Sequence, residues 1–537
     1  MPGRLAVDFG TSNTVIAYWD ESRNDSTVLS VPDLGYSFQA GAEETPVIPS
    51  LIHYAADRRT WLGRQVMDQN LYDSHGTFRW MKRYISNQSR LKIRAGDGRE
   101  ISHYEAGSDF LSGILAVASA ELGIGDEEVA FTMPVESYEH YENWLTEVVE
   151  KSGINRFRLI DEPSAAALGY GAHIQPGDVY LIFDFGGGTL DVAAVLISDE
   201  KEVARISGQD GRRCRVLGKA GADIGGMKID QWLFQETLRL NGRSDSDDDV
   251  RRISRVLLVE CEKAKEKLSL YENADVTAMN TETGAVISAE FTRGQFEELM
   301  DQHEMFSQID RTIRRALNNA RERGYSEENI KSVLMVGGSS LIPSVQKDLQ
   351  RIFGRKRVML QHPLDAVARG AAAFIPGVDF YDHIQHNYAI RHLNAMDGSY
   401  DYRAIVNQGT PYPTNEPVCR ITVRASYDGQ TQLGIAIYEI AEQHRRSMES
   451  NPIELVFDPS GAARVVAVTP DEDDRRTYFW MNEESPTFLT ADPPAQKGEA
   501  RFSVEFGLDG NKRLLITARD LKTDKLTHKD YPVVRLV

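Results

Sequence analysis

At 537 residues the chain is longer than one hydrophobic core usually organises, given roughly 100 to 200 residues per domain, and its 41% hydrophobic and 26% charged residues exclude wholesale disorder. The 61 basic and 80 acidic residues leave a formal charge of -19, which excludes a grip on nucleic acid or an anionic membrane built on lysine and arginine displacing counterions. Cys214, Cys261 and Cys419 lie far apart with no CxxC pair, so neither a disulfide framework nor a cysteine zinc site is expected. Met1 leads directly into an apolar strand at Leu5, and no run approaches the roughly 18 apolar residues of a membrane helix, so a reducing, cytoplasmic setting is the default expectation.

In chain order, LAVDFGTSNTVIAYW (residues 5 to 19) reads as strand, turn and strand: an apolar run ends in Asp-Phe-Gly, passes through small and hydroxyl residues, and resumes as a β-branched run. Helical patterns follow around 108 to 123 and 136 to 152. LIFDFGGGTLDVAAVLI (181 to 197) then repeats the first hairpin, so a duplicated architecture is expected. The helix predicted over 251 to 269 buries Ile253, Leu257, Cys261, Ala264 and Leu268. It leaves Glu262, Lys265 or Glu266, and Ser269 on another face, suited either to a nucleoside or to solvent. SVLMVGGSSLIPSVQKDLQRIFG (332 to 354) reads as a buried strand, a glycine turn and a helix with Val345, Leu349 and Ile352 at helical spacing. Strands and helices thus alternate to about residue 375, which is an α/β pattern.

Beyond Pro376 the period changes to two. Residues Cys419 to Tyr427 alternate apolar and polar, Leu433, Ile435 and Ile437 answer them across Asp428-Gly429, and a second pair around Phe502 to Phe506 and Leu514 to Ala518 is joined at Asp509-Gly510, so antiparallel sheets are expected. The acidic runs DSDDD (245 to 249) and DEDD (471 to 474) lack an EF-hand frame and read as solvated loops.

A turn that exposes several glycine N–H groups and hydroxyls can wrap phosphate oxygens, because no Cβ blocks approach and the backbone donors converge on negative charge. Gly10, Thr11, Ser12 and Asn13 form one such turn, and Gly186, Gly187, Gly188 and Thr189 form the other; two facing copies would grip a polyphosphate such as that of ATP from both sides. Asp8 and Asp184 end their strands, where carboxylates suit a magnesium ion held through its waters. Asp-Phe-Gly also occurs in protein kinases, but the glycine-rich loop, strand lysine and HRD loop that accompany it there are missing.

The two hairpins, IDEPSAAALGYG (160 to 171), CEKAKEKLS (261 to 269) and VLMVGGSSLIP (333 to 343) occur in an order and spacing that resembles the 70-kDa heat-shock chaperone family, DnaK type, within the actin-like ATPases. The resemblance implies a duplicated, ribonuclease H-like ATPase domain over 1–377, a linker over 378–387 and an all-β sandwich over 388–537 that holds extended peptide. It implies ATP/ADP and Mg2+ as cofactors, with Asp8 and Asp184 organising the hydrated metal and Thr11, Ser12, Asn13, Gly187, Gly188 and Thr189 holding phosphates. Glu162, beside the helix-opening Pro163, would orient the attacking water. Lys82, in TFRWMKRYI with Phe78, Met81 and Ile85 facing inward, matches the catalytic lysine, with Arg83 as the alternative. Glu262, Lys265 and Ser269 would contact ribose and adenine, and Gly337, Gly338 and Ser339 would close the adenosine pocket from the opposite side.

Two positions depart from the family pattern: Glu266 and Leu341 stand where arginines usually stack on adenine, which removes contacts worth about 0.5 to 2 kcal/mol each. The C-terminal match, through NQGTPYPTNE (407 to 416) and SVEFGLDGNKRLLITARD (503 to 520), is looser, and the apolar run IAIYEI (435 to 440) suits either a peptide groove or the core. The segment PGVDFYDHIQHN (376 to 387) lacks the family's leucine-rich linker, and no helical lid follows the last strands, so fast peptide exchange is expected. The resulting expectation is an ATPase whose partners are unfolded polypeptides, with a J-domain co-chaperone and a nucleotide exchange factor as candidates. A small-molecule kinase, a filament-forming scaffold and a weakly hydrolysing nucleotide sensor are the alternatives on the same fold.

Overall fold

The computed structural model describes every residue except 1–4, 41–42, 90, 124–128, 135–138, 155–156, 172–174, 176, 199–212, 375–383, 385–386, 394–399, 408–409, 411, 413, 415, 441–452, 458–462, 468–477, 483–485, 510–512 and 537. Its contacts divide the chain into two compact units, one of residues 1–137, 141–380 and 453–466, the other of 138–140, 381–452 and 467–537. The first is α/β and the second is built from strands.

In the first unit both predicted hairpins form. Leu5–Phe9 pairs antiparallel with Asn13–Asp20, and Val179–Phe185 with Leu190–Ser198. Each then gains a parallel neighbour on its first strand: Val129–Met133 beside Leu5–Phe9, and Ile330–Val336 beside Val179–Phe185. The registers place Asp8 opposite Val15 and Asp184 opposite Asp191, so both Asp-Phe-Gly segments end a central strand in the same way.

Two short helices of small residues, Glu162–Gly169 and Ala366–Phe374, pack against each other beside these sheets. Their contact is reciprocal. A Cβ on Gly169 would fall 1.8 Å from the Ala366 carbonyl oxygen, and one on Gly370 would fall 1.6 Å from that of Ala165. Only glycine permits so close a crossing. Ala165, Ala166, Ala167, Ala371 and Ala372 fill the space around it, with Ala6 and Ala17 from one sheet and Ile182 and Val195 from the other.

The predicted helices form with shifted ends: His103–Leu122 starts five residues before the pattern, Glu139–Lys151 falls inside it, and Asp248–Leu270 extends beyond it at both ends. The acidic run 245–249 is therefore only partly loop: Asp248 and Asp249 occupy the first helical turn, where the helix dipole favours negative charge. The second run, 471–474, lies outside the described residues. Among the described residues no helix is long and apolar enough to cross a membrane.

The second unit holds two four-stranded sheets and a two-stranded ladder around one core. The hairpin Ala500–Leu508 with Arg513–Asp520 forms as expected, with Phe506 opposite Ile516 and Val504 opposite Ala518. The pair predicted around Asp428-Gly429 does not form. Cys419–Arg424 pairs instead with Ala500–Leu508, and Gln430–Ile435 pairs with Thr487–Ala495. The chain does reverse at Gly429, whose φ of 80° suits glycine, but a turn signal reports reversal and not pairing, and each strand found its partner far along the chain. The run 435–440 is core: Ile435, Ile437, Tyr438 and Glu439 are buried, and the strand breaks at Ala436, where Asn482 bonds the Ile437 N–H and the Ile435 carbonyl. Of the expected linker, only Ile384, which is buried, and Asn387, which begins the strand Asn387–Leu393, are described.

Candidate functional site

The two glycine turns face each other across the floor of a cleft of about 970 Å³, within the range of small-ligand sites. A Cβ on Gly187 would fall 2.6 Å from Ser12 Oγ, and one on Gly188 2.8 Å from Thr11 Oγ1. Each turn is braced from behind. Ser50 Oγ donates to the Gly10 carbonyl at 2.8 Å, and Ser339 Oγ donates to that of Gly186 at 2.8 Å. Asp8, Gly10, Thr11, Ser12, Asn13, Lys82, Glu162, Asp184, Gly186, Gly187, Gly188, Thr189, Glu262, Lys265, Ser269, Gly337, Gly338 and Ser339 all line this one cleft.

Lys82 reaches the cleft from a short helix, Met81–Ser86, that Phe78, Met81 and Ile85 anchor in the core. The helix starts at Trp80, whose left-handed φ of 57° is costly for a bulky residue and re-aims the chain. Lys82 Nζ donates to Glu162 Oε1 at 2.5 Å. Arg83 points elsewhere: it forks onto Asp223 at 2.5 and 3.0 Å and donates to the Gly188 carbonyl, steadying the second turn. Glu162 is the first residue of its helix rather than the residue before it. Asp161 supplies the cap, accepting from the Ser164 N–H and hydroxyl.

Burial raises the Glu162 pKa, opposed by Lys82 and reinforced by Asp8. Burial likewise raises Asp8, with Lys82 and the Thr132 hydroxyl, 2.7 Å away, pulling it down. Asp184 lies well above the usual carboxylate range, through burial and then the charges of Glu162, Asp191 and Asp8. Burial alone would depress Lys82, but Glu162, Tyr141 and Asp8 hold it above its ordinary value. Several carboxylates thus face one ammonium, a surplus of negative charge that a divalent cation would neutralise. Asp8 and Asp184 are the carboxylates that would face a hydrated Mg2+ in this cleft, since that ion keeps most of its waters.

Along the helix Asp248–Leu270, Lys265 donates to Asp230 at 2.9 Å, and Glu262 accepts from the Tyr72 hydroxyl at 2.6 Å and from Arg79. Burial raises Glu262, but Arg79 and Lys265 outweigh it and hold its pKa below the ordinary value. Arg79 lies over the rings of Tyr72 and Trp80, with centroids at 4.4 and 4.8 Å. Burial, with the charges of Glu266 and Glu262, pushes the Tyr36 hydroxyl up to about 12.

Sequence reasoning missed Tyr36, Tyr72, Arg79 and Thr132, none of which carries a local motif. It also missed Gly225 and Gly226, for which a signal existed: a third glycine pair opening the helix Gly226–Leu240. The N–H groups of Gly226 and Met227 bond the carbonyls of Gly186 and Gly187, and a Cβ on Gly225 would fall 2.7 Å from the Gly187 and Gly188 backbone.

Two α/β halves with matching Asp-Phe-Gly hairpins, closing on a cleft with facing glycine turns, have the geometry of a phosphate-binding cleft. The family model for "Hsp70 protein" matches residues 91–380, more than half of the chain, and the chain belongs to the Hsp70 family. It is similar to the chaperone protein DnaK of Thermosipho melanesiensis, 25% identical over 533 residues that cover 97% of this chain and 78% of the relative. The DnaK proteins of Deinococcus proteolyticus (25% over 559 residues, covering 98% and 78%) and Thermotoga neapolitana (25% over 534 residues, covering 97% and 79%) are similar to the same degree.

Proposed function

We propose that the chain is an ATP-dependent chaperone-like protein in which ATP binding and hydrolysis in the cleft of an actin-like first unit bias the affinity of a β-sandwich second unit for unfolded polypeptide. The observation that carries this reading is the close approach of Gly187 and Gly188 to Ser12 and Thr11 beside the Lys82–Glu162 pair. The N–H groups and hydroxyls of Thr11, Ser12, Asn13, Gly187, Gly188 and Thr189 hold the phosphate oxygens, and Asp8 and Asp184 would hold hydrated Mg2+, which would supply charge neutralisation on the polyphosphate. Lys82 faces the charge that develops on the transferring phosphoryl group. Glu162 accepts a hydrogen bond from the attacking water and fixes its direction; water oxygen bonds to the γ-phosphorus as the bridging oxygen leaves with ADP. Glu262, Lys265, Ser269, Gly337, Gly338 and Ser339 seat the nucleoside. Family membership supports a cytoplasmic setting, with a J-domain co-chaperone and a nucleotide exchange factor as candidate partners.

Coupling requires that nucleotide and polypeptide each bind two conformations unequally, and that the effect be reciprocal. Steady-state phosphate release from ATP, with and without an unfolded protein, tests the reading. Basal release that rises with unfolded protein and disappears in Asp184→Ala is expected; basal release indifferent to unfolded protein would refute the chaperone reading and leave an ATPase of another kind.

A further inference from the structure

The parallel strands Leu5–Phe9, Val129–Met133 and Phe157–Asp161 lie side by side, with Met133 opposite Asp161, so Asp8 and Glu162 come together at their C-terminal ends. The helix Glu139–Lys151 follows the middle strand and carries Tyr141 in its first turn. The Tyr141 ring packs on Trp144, which packs on Phe9, the residue after Asp8, with centroids 5.4 and 5.7 Å apart. Tyr141 is fully buried, and its hydroxyl has no hydrogen-bond partner among the described residues. That is unusual, because a buried tyrosine hydroxyl ordinarily finds one. The charges that act on it are the members of the catalytic group: burial raises its pKa, Lys82 opposes, and Glu162 and Asp8 add to the rise. The hydroxyl therefore keeps its proton and is available as a donor. Tyr141 is not part of the cleft wall, so any role it has is exercised through these neighbours.

Two demands fall on Lys82. In the structure its ammonium donates to Glu162 Oε1 at 2.5 Å, and in the proposed reaction it faces the charge on the phosphoryl group. A shift toward phosphate stretches the contact with Oε1 and leaves a buried carboxylate oxygen short of a donor, which is costly. The hydroxyls of Thr132 and Ser164 are already committed, to Asp8 and Asp161, each at 2.7 Å. The Tyr141 hydroxyl is not. An unpaired buried donor beside a carboxylate that is losing its cation removes the cost of both by bonding to it.

We infer that Tyr141 is a positioning residue: as Lys82 turns to the phosphoryl group, the Tyr141 hydroxyl donates to Glu162 and keeps its carboxylate aimed at the attacking water, a refinement that rests on the reaction proposed above. Steady-state phosphate release from ATP by the full chain and by Tyr141→Phe, which removes the hydroxyl and keeps the ring, tests it, with Mg-ATP affinity by calorimetry and the melting temperature without nucleotide measured alongside. In Tyr141→Phe kcat is expected to fall about tenfold, the scale of one hydrogen bond to a charged group. Mg-ATP affinity should stay within about twofold, and the melting temperature should equal or exceed that of wild type, because the hydroxyl has no partner to lose. A kcat within about threefold of wild type, or a fall in kcat accompanied by weaker Mg-ATP binding or a lower melting temperature, overturns the inference and leaves the nucleotide site standing. Absence of phosphate release by the wild-type chain, shown by circular dichroism to be folded, overturns the proposed reaction as well.

Discussion

Replacing Lys82 with methionine keeps the length of the side chain and removes the cation that acts on Asp8, Glu162 and Asp184 together. The Lys82 and Glu162 side chains are only 9% and 8% exposed and meet at 2.5 Å, so the substitution strands a buried carboxylate. Breaking a buried pair from one side typically costs about 3 to 5 kcal/mol, whereas replacing both partners with neutral groups of similar size is close to neutral. Asp8 and Asp184 are less buried and open to cleft water, which places the expected loss for Lys82→Met near the lower figure, about 3 kcal/mol. Lys82→Met combined with Glu162→Gln should then recover about 2 kcal/mol of it, a coupling that a double-mutant cycle reads directly. The assay is the urea midpoint of the first unit's transition, without nucleotide, at unchanged slope. A double variant no more stable than Lys82→Met alone would refute the argument that Glu162 is what holds the ammonium in the cleft. Both single variants should also lose phosphate release while still binding nucleotide, since the turns are built from other residues.

His103 is buried, neither of its ring nitrogens is hydrogen-bonded among the described residues, and its ring stacks on Tyr84 at 4.0 Å. Burial, and after it Arg255, lowers its pKa from 6.5 to about 3. The unfolded chain takes up this proton first, so stability is full above pH 6.5 and falls below it by about 1.4 kcal/mol per unit, or about 2 kcal/mol at pH 5. In His103→Phe the loss of urea stability between about pH 7.5 and 5 should shrink by that amount, and an equal loss in both proteins would contradict the assignment. Gly225→Ala forces a Cβ to 2.7 Å from the backbone of the second turn, which has no flexible side chain to yield, and should weaken nucleotide binding about tenfold or more with secondary structure retained. Gly370→Ala places a Cβ 1.6 Å from the Ala165 carbonyl at the helix crossing; a melting temperature unchanged from wild type would refute the close approach, since about 3 kcal/mol of destabilisation is expected.

The two facing turns were legible because each is encoded by one contiguous segment: an apolar run, Asp-Phe-Gly, small residues and a second apolar run specify a hairpin. The buried stripe of Ile253, Leu257, Cys261, Ala264 and Leu268 was legible for the same reason, since helical periodicity needs no distant partner. The strand Cys419–Arg424 shows the limit. Its alternation predicted a half-buried strand, but its partner, Ala500–Leu508, lies about eighty residues away, and alternation says nothing about which edge it will join.

The other end of the cleft follows the strand and not the hairpin. Tyr72 and Arg79 meet Glu262 across sequence separations of 190 and 183 residues, and Tyr36 comes from a third segment. Each is an ordinary residue in its own neighbourhood and acquires meaning only when the chain folds. On the proposed reading, phosphates are bound by backbone turns, whereas the base meets side chains converging from separate elements. A substitution at that end, such as glutamate at 266, leaves the turns untouched. On that reading, base preference has to be measured on this chain rather than inherited with the turns.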